Sequence, residues 1–146
     1  MKFSIRSIKE DDSSSKCEIV IGSFKEITPL FTDLWDVHLY KSQWNKALSS
    51  LVNGTVQRCM LVTDIRPPNI SAGIVFWVLF KEGGDIFFQQ RFLRERNASL
   101  INSPLDIEKY IAPRVQGTPE EHAMVSEWQL SIEDVCHFIK CFDEAR

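Results

Sequence analysis

The chain opens by alternating apolar with polar or charged residues, Met1-Lys2-Phe3-Ser4-Ile5-Arg6-Ser7-Ile8-Lys9. A period of two puts every second side chain on one face of a sheet, so residues 2–8 are expected as a strand and 17–21 as another. Between them Lys9 to Lys16, centred on Asp11-Asp12-Ser13-Ser14-Ser15, reads as a solvated connection. At Val37, Tyr40, Trp44, Ala47, Leu48 and Leu51 the apolar spacing changes to three and four, which predicts a helix over 36–52 with one buried stripe. Asp33 or Asp36 can cap its start, and Asn53-Gly54 supplies a left-handed stop.

Three strands are expected next. Gln57 to Ile65 is apolar and β-branched and ends at Arg66-Pro67-Pro68-Asn69, where prolines stop a ladder. Ala72 to Phe80 (AGIVFWVLF) is apolar on both faces, the mark of a central strand covered on both sides. Lys81-Glu82-Gly83-Gly84-Asp85 is a hairpin turn, and the return strand covers Ile86 to Leu93. Ser103-Pro104-Leu105-Asp106 starts a short helix that Pro113 limits, Arg114 to Glu121 is a polar loop, and Ala123 to Leu130 is a last strand. The final helix begins at Ser131, with Asp134 completing a capping box and Ile132, Val135, Ile139 and Phe142 forming its stripe. Neither an internal repeat nor an inter-domain linker interrupts this order. The expected fold is α+β: one domain over 1–146, a twisted, mainly antiparallel sheet with a central meander, packed by two main helices and one short helix.

Composition narrows the function. With 146 residues, 44% hydrophobic and 25% charged, the chain can bury a core without disulfides or metals. Seventeen basic against twenty acidic residues give a net charge of −3, the opposite of a typical duplex-binding surface. The first residues lack an apolar signal-peptide core, and the Ala72–Phe80 run is too short to span a bilayer, so a cytoplasmic location without membrane insertion is expected. Cys17, Cys59, Cys136 and Cys141 show neither CxxC nor metal-finger spacing; the first two lie in strand-like runs, where a reduced thiol acts as a small hydrophobe.

No catalytic constellation emerges. Cys136 and His137 are neighbours and Cys141 lies five residues on, so a helix does not bring them to one ion. His38 and His122 have no nucleophile motif to serve. Glu120-Glu121 and Asp11-Asp12 are loop acids, and Gly83-Gly84 precedes a strand where a phosphate loop needs a helix. Neither a cofactor nor an enzymatic role is expected. Aromatic and basic residues do interleave from Ile86 to Phe92, with Arg94 and Arg96 beyond, which keeps open an alternative as a single-stranded nucleic-acid-binding module. From Pro119 to Glu144, seven acids (Glu120, Glu121, Glu127, Glu133, Asp134, Asp143, Glu144) face one base, Lys140, and such a patch can steer a basic partner.

Three segments carry a resemblance: Trp35-Asp36-Val37-His38-Leu39-Tyr40-Lys41-Ser42-Gln43-Trp44, then Phe76-Trp77-Val78-Leu79-Phe80, then Val125-Ser126-Glu127-Trp128 ahead of the Ser131 helix. Their order and spacing resemble the CdiI immunity proteins of bacterial contact-dependent growth inhibition, in particular those paired with a colicin-like ribosomal RNA nuclease. The resemblance implies an inhibitor that binds the C-terminal toxin domain of a CdiA effector in the cytosol, with no direct nucleic-acid contact. Tyr40, Trp44, Trp77 and Trp128 are expected as framework. A nuclease needs a basic surface for its polyanion, so the expected toxin-binding residues are acids on loops and strand ends: Asp64, Glu82, Asp85, Glu120, Glu121 and Glu127.

Overall fold

The computed structural model describes residues 2–10, 14–32, 35–64, 73–94, 114 and 126–144. Three strands come first: β1 (Phe3–Glu10), β2 (Ser14–Ile21) and β3 (Phe24–Pro29). Helix α1 (Val37–Val52) follows, then β4 (Arg58–Asp64), β5 (Gly73–Glu82), β6 (Asp85–Arg94), β7 (Glu127–Ser131) and helix α2 (Ile132–Glu144). The α+β class, the central meander and both main helices agree with the sequence reading. The strands divide between two antiparallel sheets, ordered β1-β2-β3 and β4-β5-β6-β7.

Local differences from the expected boundaries have physical causes. The first hairpin continues into the polar stretch, pairing Lys9 with Ser15 and Glu10 with Ser14, because ladder bonds extend beyond the apolar residues. The sequence reading missed β3: Phe24, Glu26 and Thr28 face one way and Lys25, Ile27 and Pro29 the other, so charges on both faces hide the period. Gly22 permits the turn into it with φ 63°. The last described strand begins at Glu127, four residues beyond the expected Ala123. The expected short helix after Ser103 and the Arg114–Glu121 loop, Arg114 apart, lie outside the described residues.

The sheets face each other through alternate positions. Phe3, Ile5, Cys17, Ile19 and Ile21 are buried on the first, and Leu61, Trp77, Leu79, Ile86 and Phe88 on the second. Aromatic rings join them: Phe3 lies 5.3 Å from Phe88, and Phe24 lies 4.3 Å from Trp128 and 6.0 Å from Trp77. On its other face β5 also buries Phe76, Val78 and Phe80, as its unbroken apolar run predicts. Trp128 is half-buried; Tyr40, Trp44 and Trp77 are fully enclosed, and all four serve as framework.

Helix α1 covers the edge of the second sheet with side-chain hydrogen bonds. Gln43 Nε2 donates to the Met60 carbonyl at 2.6 Å, and Gln43 Oε1 accepts from the Val62 N–H at 3.0 Å. The adjacent Trp44 Nε1 donates to the Val62 carbonyl at 2.7 Å. One side-chain amide thus stands in for the next strand, filling edge groups that would otherwise be buried unpaired. Asp36 caps the helix through the Leu39 N–H at 2.8 Å, and Tyr40 fixes the preceding segment by donating to the Phe31 carbonyl at 2.7 Å. At α2, the Asp134 carboxylate accepts from the Ser131 backbone N–H (3.3 Å) and hydroxyl (3.0 Å), realising half of the expected capping box. Val135 and Phe138 are buried along this helix, and Phe138 meets Phe3 edge-on at 5.2 Å.

Replacing Gln43 by Leu orphans one buried N–H and one buried carbonyl on β4. A loss of about 2–4 kcal/mol in urea unfolding is expected, and about 2–3 kcal/mol for Trp44→Phe, which orphans the Val62 carbonyl and leaves a small cavity. On the outer face of the first sheet, Glu18 accepts from Arg6 Nε at 2.7 Å and lies 3.4 Å from Lys25 Nζ. The Arg6 hydrogen bond, chiefly, holds its carboxyl below the ordinary value against the opposing effect of burial. A lowered carboxylate stabilises the fold above its unfolded value of about 4.3, and the contribution is lost as pH falls through the lower folded value. The acid limb of a stability–pH curve should therefore be shallower in Glu18→Gln than in the wild type.

Candidate functional site

The β5–β6 turn places a charged group at one end of the second sheet. Its two residues, Gly83 and Gly84, are bracketed by Glu82 and Asp85, which are cross-strand partners. Gly83 holds φ 61°, which a side chain would strain. Strand β7 continues the register, setting Glu127 opposite Gln89 and Ser131 opposite Asp85. Period-two alternation then puts Glu82, Asp85, Phe87, Gln89 and Glu127 on one sheet face.

Arg114 sits over that face. Its Nε and Nη2 donate to the two oxygens of Glu127 at 2.8 and 2.7 Å, a bidentate fork. Its Nη1 donates to Glu82, and its guanidinium carbon lies 3.5 Å from the centroid of the Phe87 ring. Gln89, fully enclosed, donates from Nε2 to Glu127 at 2.7 Å and orients that carboxylate from the sheet side. The Arg114 and Glu127 side chains are 14% and 11% exposed, whereas Glu82 is 42% exposed. The Glu127 hydrogen bonds raise the guanidinium pKa further, despite burial, so Arg114 is a permanent cation.

Of the six expected docking acids, the structure brings together Glu82, Asp85 and Glu127. Glu127 is occupied by Arg114 and Gln89, so it is the least accessible of the three. Asp64 is far from them, ending β4 opposite Val75 at the other end of the sheet. Glu120 and Glu121 lie outside the described residues. Glu133, exposed in the first turn of α2, follows Ser131 closely at the turn end. Sequence reasoning missed Arg114, which opens a stretch read as a polar loop; a lone arginine between Pro113 and Val115 carries no periodicity to mark it.

The residues singled out for other chemistry are placed as follows. Ile86 and Phe88 are enclosed in the core, and the Phe87 ring is covered by Arg114, so these aromatics do not form an open platform for bases. His38 is exposed on α1, His137 is exposed on α2, and the neighbouring Cys136 is half-buried. Among the described residues, no group of three or more His, Cys, Asp or Glu could hold a metal ion. Cys17 and Cys59 are buried thiols outside any disulfide, and burial, aided by the charges of Glu26 and Glu18, pushes the Cys17 thiol up to about 12. Among the described residues, no helix is long and apolar enough to cross a membrane.

Comparison with known proteins adds family and fold. Residues 30–138 match the CdiI N-terminal domain family, and the chain belongs to it. Its structure is similar to a chain of the CdiA-CT/CdiI toxin and immunity complex from Enterobacter cloacae, with a TM-score of 0.78 and 25% identity, over 97% of this chain and 99% of that one. No curated protein matches.

Two outcomes follow from the site chemistry. Glu127→Gln leaves a largely enclosed guanidinium without its fork, and urea unfolding should show a loss of about 2 kcal/mol, below the ~3–5 kcal/mol of a fully buried pair because the network opens at Glu82. At pH 8 in the folded protein, a thiol reagent followed by peptide mass spectrometry should modify the half-buried Cys136 well before Cys17.

Proposed function

We propose that this CdiI-family chain is an immunity protein, which binds the C-terminal toxin domain of a CdiA effector and neutralises it by stoichiometric protein–protein contact in the cytoplasm. The observation that carries the reading is the structural match along nearly the whole chain to a component of a toxin–immunity complex, joined to a family match that names the CdiI side. We further propose that the toxin is a nuclease, with RNA its substrate. A nuclease presents cationic groups to a polyanion, and this chain carries a net charge of −3 with acids gathered at the turn end of its second sheet.

In this reading Glu82 and Asp85, with Asp64, Glu120, Glu121 and Glu127 as further candidates, meet cations of the toxin. An exposed acid such as Glu82 acts mainly on encounter: opposite charge raises the association rate and makes it salt-dependent. Stable neutralisation needs an interface of about 800 Å² on each partner. The contact is therefore wider than the turn.

The decisive experiment is co-expression. The C-terminal toxin domain encoded beside this chain is induced in bacteria with and without it, and growth and RNA integrity are followed. Rescue with intact RNA is the expected outcome, and the RNA cut in unprotected cells identifies the target. Death in both cultures, with the chain soluble and folded, would overturn the immunity reading for that pair. Asp85→Lys should slow association with the purified toxin and reduce its salt dependence, with little change in stability.

A further inference from the structure

The residues around Arg114 form a receptor for a guanidinium. Phe87 supplies the floor, 3.5 Å beneath the guanidinium carbon. Glu127 accepts a bidentate fork, Glu82 accepts from Nη1, and the enclosed Gln89 donates to the Glu127 carboxylate from the sheet side. All four belong to adjacent strands β5, β6 and β7, whose register fixes their spacing without help from residue 114. The set suits a planar, delocalised cation: an aromatic face for stacking and paired oxygens for parallel N–H donors. An ammonium group can use the charge but neither the fork nor the stacking.

The geometry points to a guanidinium-binding site held shut by the chain's own Arg114, into which an arginine of the toxin domain enters by exchange. This inference rests on the immunity reading and specifies the chemical group recognised at the turn end. A nuclease surface supplies such a side chain, because arginine is the residue best fitted to bidentate phosphate contacts. Exchange preserves charge balance: one guanidinium leaves the two carboxylates as another arrives, and neither carboxylate is left buried and unpaired. It also sets a gate on affinity, since a site open for a fraction of the time binds proportionately more weakly. Glu82 is the natural point of entry, as the most exposed member of the network.

The test uses the full chain as wild type, Arg114→Ala, Arg114→Lys and the double variant Arg114→Ala/Glu127→Gln, with N-ethylguanidinium and ethylammonium as free probes. In Arg114→Ala, millimolar N-ethylguanidinium should raise Tm, ethylammonium should raise it less, and the double variant should respond to neither. Toxin association with Arg114→Ala should be faster by about tenfold if Arg114 fills the site nine-tenths of the time, and N-ethylguanidinium should compete with the toxin. A folded Arg114→Ala that does not respond to N-ethylguanidinium overturns the receptor. A clear response with unchanged or slower toxin association overturns the exchange. Should Arg114→Ala fail to fold, Arg114→Lys decides: its weaker plug should speed association about threefold if it fills the site about seven-tenths of the time, and an unchanged rate overturns the exchange. A wild-type chain that binds no toxin removes the immunity reading and the exchange with it, while the Tm measurements still judge the receptor.

Discussion

Everything in the second sheet depends on how its β4 edge ends. An antiparallel ladder leaves every second residue of an outer strand with an N–H and a carbonyl pointing outward, and here those groups are buried under α1. Gln43 meets a donor and an acceptor with one amide, and Trp44 takes the next carbonyl. Helices usually shield a sheet by lying on its face; this one also closes an edge by imitating a strand. The price is a rigid relation between helix and sheet, because one turn of slippage along α1 would break all three hydrogen bonds together. The apolar stripe of Tyr40, Trp44, Leu48 and Leu51 can then face only one way.

That dependence explains what could be read in the sequence. Long periodic segments were legible: the α1 stripe, its Asp36 cap, the two-sided apolar run of β5 and the glycine turn all occur where the pattern puts them. β3 was not, because Lys25 and Glu26 fall on opposite faces and mask the alternation. Partition into two sheets was also hidden, since periodicity reports which face is apolar but never which strand lies beside it. Gln43 reads as an ordinary polar residue on a helix; its role appears only when Met60 and Val62 are placed beside it.

The candidate site divides along the same line. Glu82 and Asp85 could be selected because strand ends and turns expose their side chains, and a hairpin makes them neighbours automatically. Glu127 was chosen for its charge, yet β7 pairing turns it toward Gln89 and Arg114, where that charge is spent internally. Counting acids along a chain overstates a surface field whenever a cation from a distant segment neutralises some of them. Arg114 pairs with two and cancels the charge of one, so the turn end is less negative than its acids imply.

The contact of Phe3 with Phe138 has a consequence for synthesis. The ring of the third residue is covered in part by one that is 135 residues later, and both are buried. At a translation rate of about 5–20 residues per second, roughly 7–27 seconds separate their appearance. The β1-β2-β3 unit can form early from hairpins alone, but its apolar face waits for partners made much later. During that interval the nascent chain presents Phe3, Ile5, Ile19 and Ile21 as a sticky surface, a natural target for chaperones. Completion of this fold therefore waits until α2 has left the ribosome.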